Sequence, residues 1–195
     1  MHATPDRAAL IALLAARSFK RGDFTLSSGK PSRIYFNLKT TMLHPQGANL
    51  CARLLLNALA PLEFDYVSGL EMGAVPLLGA VAALSADTDK PVTATFVRKS
   101  VKSHGTRVMV EGLDAQAGET LSGKRVVLID DVATSGNAML KAAEEIAAAG
   151  GTVAHALVIL DREEGAKERL AASGITLNAL ATATDLGVTE EDRRP

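Results

Sequence analysis

Val126 to Ala138 reads VVLIDDVATSGNA, an aliphatic run that stops at two adjacent carboxylates and continues into small hydroxyl residues and glycine. A buried strand has no need of charges at its tip, so Asp130 and Asp131 must face something. The residues that follow can wrap an anion. Gly136 permits a tight backbone turn, Thr134 and Ser135 offer hydroxyl donors, and a helix starting near Asn137 would aim its free N–H groups at the loop. Carboxylates repel phosphate, however. The pair suits a ligand that also brings donors, such as sugar hydroxyls or a coordinated magnesium ion. A phosphate with hydroxyls a few ångströms away describes a ribose 5-phosphate. The bland alternative, a strand-end aspartate capping a helix, accounts for one carboxylate but not for two beside a hydroxyl-rich loop. No GxxxxGKS or GxxxxGKT occurs and no GxGxxG follows a strand, so ATPase and dinucleotide chemistry lose support.

The densest cationic segment is Arg98-Lys99-Ser100-Val101-Lys102-Ser103-His104-Gly105, off the end of an apolar run. Alone, such a loop is usually solvated surface. Beside an acidic sugar-phosphate motif it acquires a use, because positioned cations can neutralise charge on a departing anion.

These residues need a scaffold, and the pattern supplies one. After a helix capped by Thr4-Pro5, FTLSS and SRIYFNLK flank a Gly-Lys-Pro turn and predict a small antiparallel element. A helix is expected from about Gln46 to Ala60, then the strand FDYVSG, a helix from about Pro76 to Ala86 and the strand VTATFVR. RVMVEG is expected to form a short ribbon beside the basic segment. RVVLID follows, then a helix from Asn137 to Ala149, the strand VAHALVIL, a helix near Glu163 to Ala172 and the strand ITLNALA. Strands separated by helices pair in parallel through right-handed crossovers, and near-continuous apolar strands are covered on both faces. The expected fold class is α/β: one domain over 1–195, a mainly parallel sheet flanked by helices, with an N-terminal element over about 1–45. In such sheets ligands bind beyond the carboxyl ends of the strands, where Asp130 and Asp131 fall.

Composition narrows the partners. The 195 residues are 47% hydrophobic and 22% charged, ordinary for a globular chain. A formal charge of -1, from 21 basic and 22 acidic side chains, gives no global attraction to nucleic acid or to an anionic membrane. Cys51 is the single cysteine and lies in an apolar helical pattern, which favours a small core residue over a reactive thiol. Ala8 to Ala16 has the length of a signal-peptide core, but Asp6 precedes it and no small-residue cleavage site follows. The protein is expected in the cytoplasm.

The stretch around Asp130 resembles the 5-phosphoribosyl 1-pyrophosphate (PRPP) motif of type I phosphoribosyltransferases. The resemblance implies that fold, with a small N-terminal hood and a flexible catalytic loop over about 99–110. It implies that Asp130 and Asp131 hold the ribose 2- and 3-hydroxyls, while Ala133, Thr134, Ser135, Gly136, Asn137 and Ala138 cradle the 5-phosphate, with Val132 in the same PRPP-binding stretch. R-K-x-x-K-x-H-G is similar to the catalytic loop of the orotate phosphoribosyltransferase family, which reaches into the neighbouring subunit of a homodimer. Arg98, Lys99, Lys102 and His104 would then contact pyrophosphate, with Lys102 and His104 catalytic together with the acidic pair. FTLSSGKPSRIYFN resembles that family's hood, implying that Tyr35 and Phe36 lie against the pyrimidine; their alternative is strand packing. Asp161-Arg162 matches the position where the family's arginine meets the base, and the alternative for Arg162 is an ion pair with Glu163 or Glu164. Thr134 would also touch the base. Some members carry lysines where Ser27 and Gly73 stand, and Lys30 and Lys39 are candidates to replace them. Gly69 to Pro76 resembles the family's pyrophosphate loop, with Ala74 in place of its second glycine.

The resemblance therefore implies transfer of ribose 5-phosphate from PRPP to orotate, giving orotidine 5-phosphate and pyrophosphate in pyrimidine (UMP) biosynthesis, with Mg²⁺ bridging PRPP oxygens. Two rivals remain at this point. One is a phosphoribosyltransferase for a purine base or uracil. The other is a PRPP-sensing regulator, which would need a basic face or an added helix-turn-helix.

Overall fold

The computed structural model of the protein describes residues 4–25, 29, 31–100 and 109–193. The chain opens with α1 (Pro5–Arg17), whose N-cap Thr4 accepts the Arg7 N–H at 3.2 Å. The antiparallel strands β1 (Phe19–Thr25) and β2 (Pro31–Phe36) follow, then α2 (Lys39–Met42), α3 (Pro45–Leu59), β3 (Tyr66–Ser68) and α4 (Val75–Ser85). The short strands β4 (Phe96–Val97) and β5 (Val110–Glu111) pair as a ribbon. Thereafter come β6 (Arg125–Ala133), α5 (Asn137–Ala148), β7 (Thr152–Asp161), α6 (Ala166–Ala171) and β8 (Thr176–Thr182).

The main sheet has the order β3-β6-β7-β8 and is parallel throughout. Its apolar strands look continuous in sequence because both faces are buried. Along β6, Val127 and Ile129 join one core with Leu10 and Leu14 of α1, Leu55 of α3 and Val81 of α4. Val126 and Leu128 join the other, with Met139 and Ile146 of α5 and Leu170 of α6. The same period of two divides Leu157 and Ile159 from Ala156 and Val158 on β7. Among the described residues no helix is long and apolar enough to cross a membrane.

Several boundaries differ from the pattern. β1 begins at Phe19 rather than Phe24, because Phe19 pairs with Phe36 and their rings stack at 5.1 Å. The helix expected from Glu163 begins at Ala166, since Glu163 (φ 59°) and Gly165 (φ 93°) occupy left-handed backbone that a right-handed helix cannot contain. The strand VTATFVR stays beside β3 only through the bridges Val67–Ala94 and Leu70–Val97, and its end pairs with β5.

Cys51 sits in the first core, and burial pushes its thiol up to about 12. In the native protein it should resist a thiol-reactive dye at pH 8 and react fully once unfolded. Labelling that precedes unfolding would contradict this burial.

Candidate active site

β6 does not stop before its carboxylates. Asp130 pairs with Val158, and the ladder continues to Ala133 opposite Asp161. Asp130 and Asp131 are therefore inside the sheet's end, only 7% and 8% exposed. Each is held by the next amide: Asp131 N–H donates to Asp130 Oδ1 and Val132 N–H to Asp131 Oδ1, both at 2.9 Å. Consecutive strand residues ordinarily diverge. Here the two carboxylates converge on Gly73, where an added Cβ would lie 2.6 Å from Asp130 Oδ1 and 2.7 Å from Asp131 Oδ1. Glycine leaves that approach open.

A cation arrives from elsewhere. Lys39 Nζ lies 3.6 Å from Asp131 Oδ2, which places one of the two candidate lysines at the pair; Ser27 and Lys30 lie outside the described residues. Burial pushes the Asp130 carboxyl up to about 7, the Asp131 charge adds to the rise, and its amide bond and Lys39 oppose it.

The anion side is built on α5. Gly136 caps that helix in left-handed backbone (φ 78°), and an added Cβ would be 3.3 Å from Ala166 O, so the turn packs closely on α6. The first N–H groups of α5, including those of Asn137 and Ala138, have no carbonyl within the helix to bond and face the loop. Thr134 and Ser135 are half-buried. Asn137 Oδ1 accepts Arg169 Nη1 at 2.5 Å.

The root of the basic segment is tied to both neighbours. Lys99 N–H donates to Glu71 Oε1 at 2.8 Å, and Lys99 O accepts Lys141 Nζ of α5 at 3.2 Å. Arg98 pairs with Glu111 at 3.5 Å. Lys102 and His104 lie outside the described residues. Glu71 and Lys141 carried no recognisable sequence signal, since isolated surface charges reveal no partner.

On the far side, Arg162 follows β7, its N–H donating to Ala133 O at 2.9 Å. Its guanidinium lies over Phe36, 5.4 Å from the ring centroid, and Nη2 meets Glu164 Oε1 at 2.7 Å. The ion pair weighed for Arg162 thus forms with Glu164, alongside the contact with Phe36. Arg162 Nε is buried without an acceptor. Tyr35 is not brought to Arg162: it faces the other side of the hairpin, 41% exposed, with its ring 5.4 Å from Phe24. Adjacent strand residues point oppositely, so one hairpin face receives Phe36 alone of the pair.

Among the described residues no group of three or more His, Cys, Asp or Glu is gathered as a metal cage. The two hard oxygen donors at Asp130 and Asp131 fit a magnesium ion shared with phosphate oxygens of a ligand.

Because the raised Asp130 pKa favours the neutral carboxyl, its contribution to stability is full below the ordinary value of 3.8 and is lost as pH rises to about 7. Asp130→Asn stays neutral throughout. Its melting temperature should exceed that of the wild type by roughly a few degrees at pH 8, and the gain should vanish towards pH 4. An equal or opposite shift at pH 8 would refute the cost assigned to this ionised pair.

The chain is similar to known proteins along most of its length. Residues 40–183 match the model of the phosphoribosyl transferase domain. The chain is 50% identical over 185 residues to an orotate phosphoribosyltransferase of Rhodopseudomonas palustris, covering 95% of this chain and 98% of that one. The crystal structure of Mycobacterium tuberculosis orotate phosphoribosyltransferase in complex with Fe(III) dicitrate superposes with a TM-score of 0.81 at 33% identity, over 94% of this chain and 100% of that one. The same enzyme in complex with PRPP gives a TM-score of 0.77 at 31% identity, with the same coverage of 94% and 100%. With a match of this extent at both levels, the chain belongs to the phosphoribosyltransferases and, among them, to the orotate phosphoribosyltransferase family.

Proposed function

We propose that this chain transfers ribose 5-phosphate from PRPP to orotate, giving orotidine 5-phosphate and pyrophosphate, and so serves pyrimidine biosynthesis. The observation that carries the proposal is the buried Asp130–Asp131 pair on β6, the strand that leads into α5, with the Arg162–Phe36 contact at the end of the adjacent strand β7. Anion, hydroxyl and planar-base recognition are the three that a nucleotide requires.

Asp130 and Asp131 accept the ribose 2- and 3-hydroxyls, replacing the mutual repulsion of the empty pair with donors from the sugar. Residues 133–138 give the 5-phosphate backbone N–H groups and the Thr134 and Ser135 hydroxyls. Arg162 offers its guanidinium to the carboxylate or an oxo group of orotate, Phe36 lies beneath that guanidinium, and Thr134 bounds the base. As the bond from ribose C1 to pyrophosphate breaks, a ring nitrogen of orotate forms the new bond and its N–H proton passes to solvent or to the departing pyrophosphate, while Arg98, Lys99, Lys102 and His104 neutralise the departing charge. Mg²⁺ bound through PRPP oxygens would add charge stabilisation at the pyrophosphate. Closure of the basic loop would exclude water from the reacting carbon. The protein works as one domain in the cytoplasm, as a homodimer whose loop 99–110 acts in the neighbouring subunit.

Orotate absorbance in the ultraviolet should fall only when protein, PRPP and Mg²⁺ are all present, with no turnover of uracil, adenine or hypoxanthine. Turnover of another base but not orotate would overturn the assignment of Arg162 and Phe36. Silence with every base would favour a PRPP sensor.

The arrangement in trans has its own test. Lys102→Ala subunits mixed with subunits carrying Asp130→Asn and Asp131→Asn should regain part of the activity that each lacks alone. Absence of recovery in verified mixed dimers would count against a shared site.

A further inference from the structure

Residues 184–193 carry no recognisable motif, yet they touch both parts of the site that meet the base. Arg193 Nη1 donates to the carbonyl oxygen of Arg162 at 2.6 Å, and its Nη2 donates to Glu163 Oε2 at 2.8 Å. The same Glu163 oxygen accepts the Thr184 N–H at 3.0 Å and the Thr184 hydroxyl at 2.7 Å. Towards the hood, Arg21 of β1 donates to Gly187 O at 2.6 Å and pairs with Asp192 at 3.3 Å. Ile34 of β2 packs with Ala183 and Val188 in a small apolar cluster bordered by Phe19 and Phe36.

We propose that residues 184–193 form a strap that sets Arg162 against Phe36, with Arg193 as the positioning residue for base binding. The proposal rests on the assignment of orotate to the Arg162–Phe36 face. Both polar groups of the Arg162 backbone are fixed by partners distant in sequence, the N–H by Ala133 of β6 and the carbonyl by Arg193. The strap therefore closes the one side that the sheet leaves open. A guanidinium suits this task because its fork reaches two acceptors at once, here a carbonyl and a carboxylate on consecutive residues. The Arg193 side chain is only 19% exposed, so water screens these bonds less than those of a surface pair. Arg162 needs such support: Nε has no acceptor, and Glu164 takes Nη2 on one side only. Meanwhile the strap's hold on Arg21 and Ile34 keeps the hood, and with it Phe36, in register with Arg162. The strap's hydrogen bonds reach Arg162, Glu163 and Arg21 rather than residues 130–138, to which Arg162 itself is joined by its N–H at Ala133 O. The strap consequently acts on the base and leaves PRPP binding alone.

Steady-state kinetics with each substrate varied separates these roles in the full-length protein and in three variants. Arg193→Ala should raise KM for orotate about tenfold and leave KM for PRPP within about twofold, as expected when a charge-assisted bond that orients one substrate's contact is lost. Arg193→Lys, which reaches one acceptor at a time, should recover part of the loss. Glu190→Gln removes a carboxylate 3.9 Å from Arg193 Nε that is 90% exposed, and should behave as the wild type. Unchanged constants in Arg193→Ala, or equal rises in both KM values, would overturn the strap. Should Arg193→Ala fail to fold by circular dichroism, Arg193→Lys decides in the same way: a rise confined to orotate supports the strap, and no rise overturns it. A wild-type protein that turns over a different base would overturn the orotate assignment, and the strap's action on orotate would fall with it.

Discussion

Two carboxylates on consecutive residues, both almost wholly buried, place the strongest demand on this fold. Removed from water, Asp130 and Asp131 repel one another across a short gap, and that cost appears in the elevated Asp130 pKa. The surroundings offset it only in part. The next amide along the chain bonds each carboxylate, and Lys39 approaches from α2. A site so arranged favours a ligand that brings hydroxyl donors to the pair and phosphate to the neighbouring N–H groups.

The rest of the architecture can be derived from delivering that pair to an open edge. The sheet must be parallel and covered on both faces so that β6 is rigid up to its carboxyl end. α5 must begin immediately beyond it, which requires the left-handed turn at Gly136. The loop at Gly73 must pass within contact distance of both acids, where a side chain would collide with them. An adjacent cation therefore comes from α2, and the basic segment is rooted close by through Glu71 and Lys141.

The side of Arg162 and Phe36 is assembled differently. Phe36 belongs to a hairpin near the start of the chain and Arg162 to the turn after β7, so their contact joins elements far apart in sequence. Arg7 of α1, bonded to Leu180 O and Asp185, fastens the N-terminal helix to β8 and the segment beyond it. Arg21, Asp192 and Arg193 extend this stitching to the hairpin and the Arg162 turn. Long-range polar bonds carry this side, whereas backbone ladders carry the side of Asp130 and Asp131.

The division explains what could be read before any coordinates. VVLIDDVATSGNA encodes its strand, turn and helix start within thirteen neighbouring residues, all governed by local backbone preference and a period of two. The alternation of strands and helices, the buried Cys51 and the α5 start at Asn137 were legible for the same reason. By itself the sequence determined the α/β class, the acidic pair with its hydroxyl-rich loop and the family it resembles. Only the tertiary structure decided that Lys39 meets Asp131, that Phe36 rather than Tyr35 faces Arg162, and that the tail binds the Arg162 carbonyl. Those contacts join residues far apart in the chain, and the chemistry of an isolated lysine, aromatic or arginine does not specify which distant group folding will place beside it.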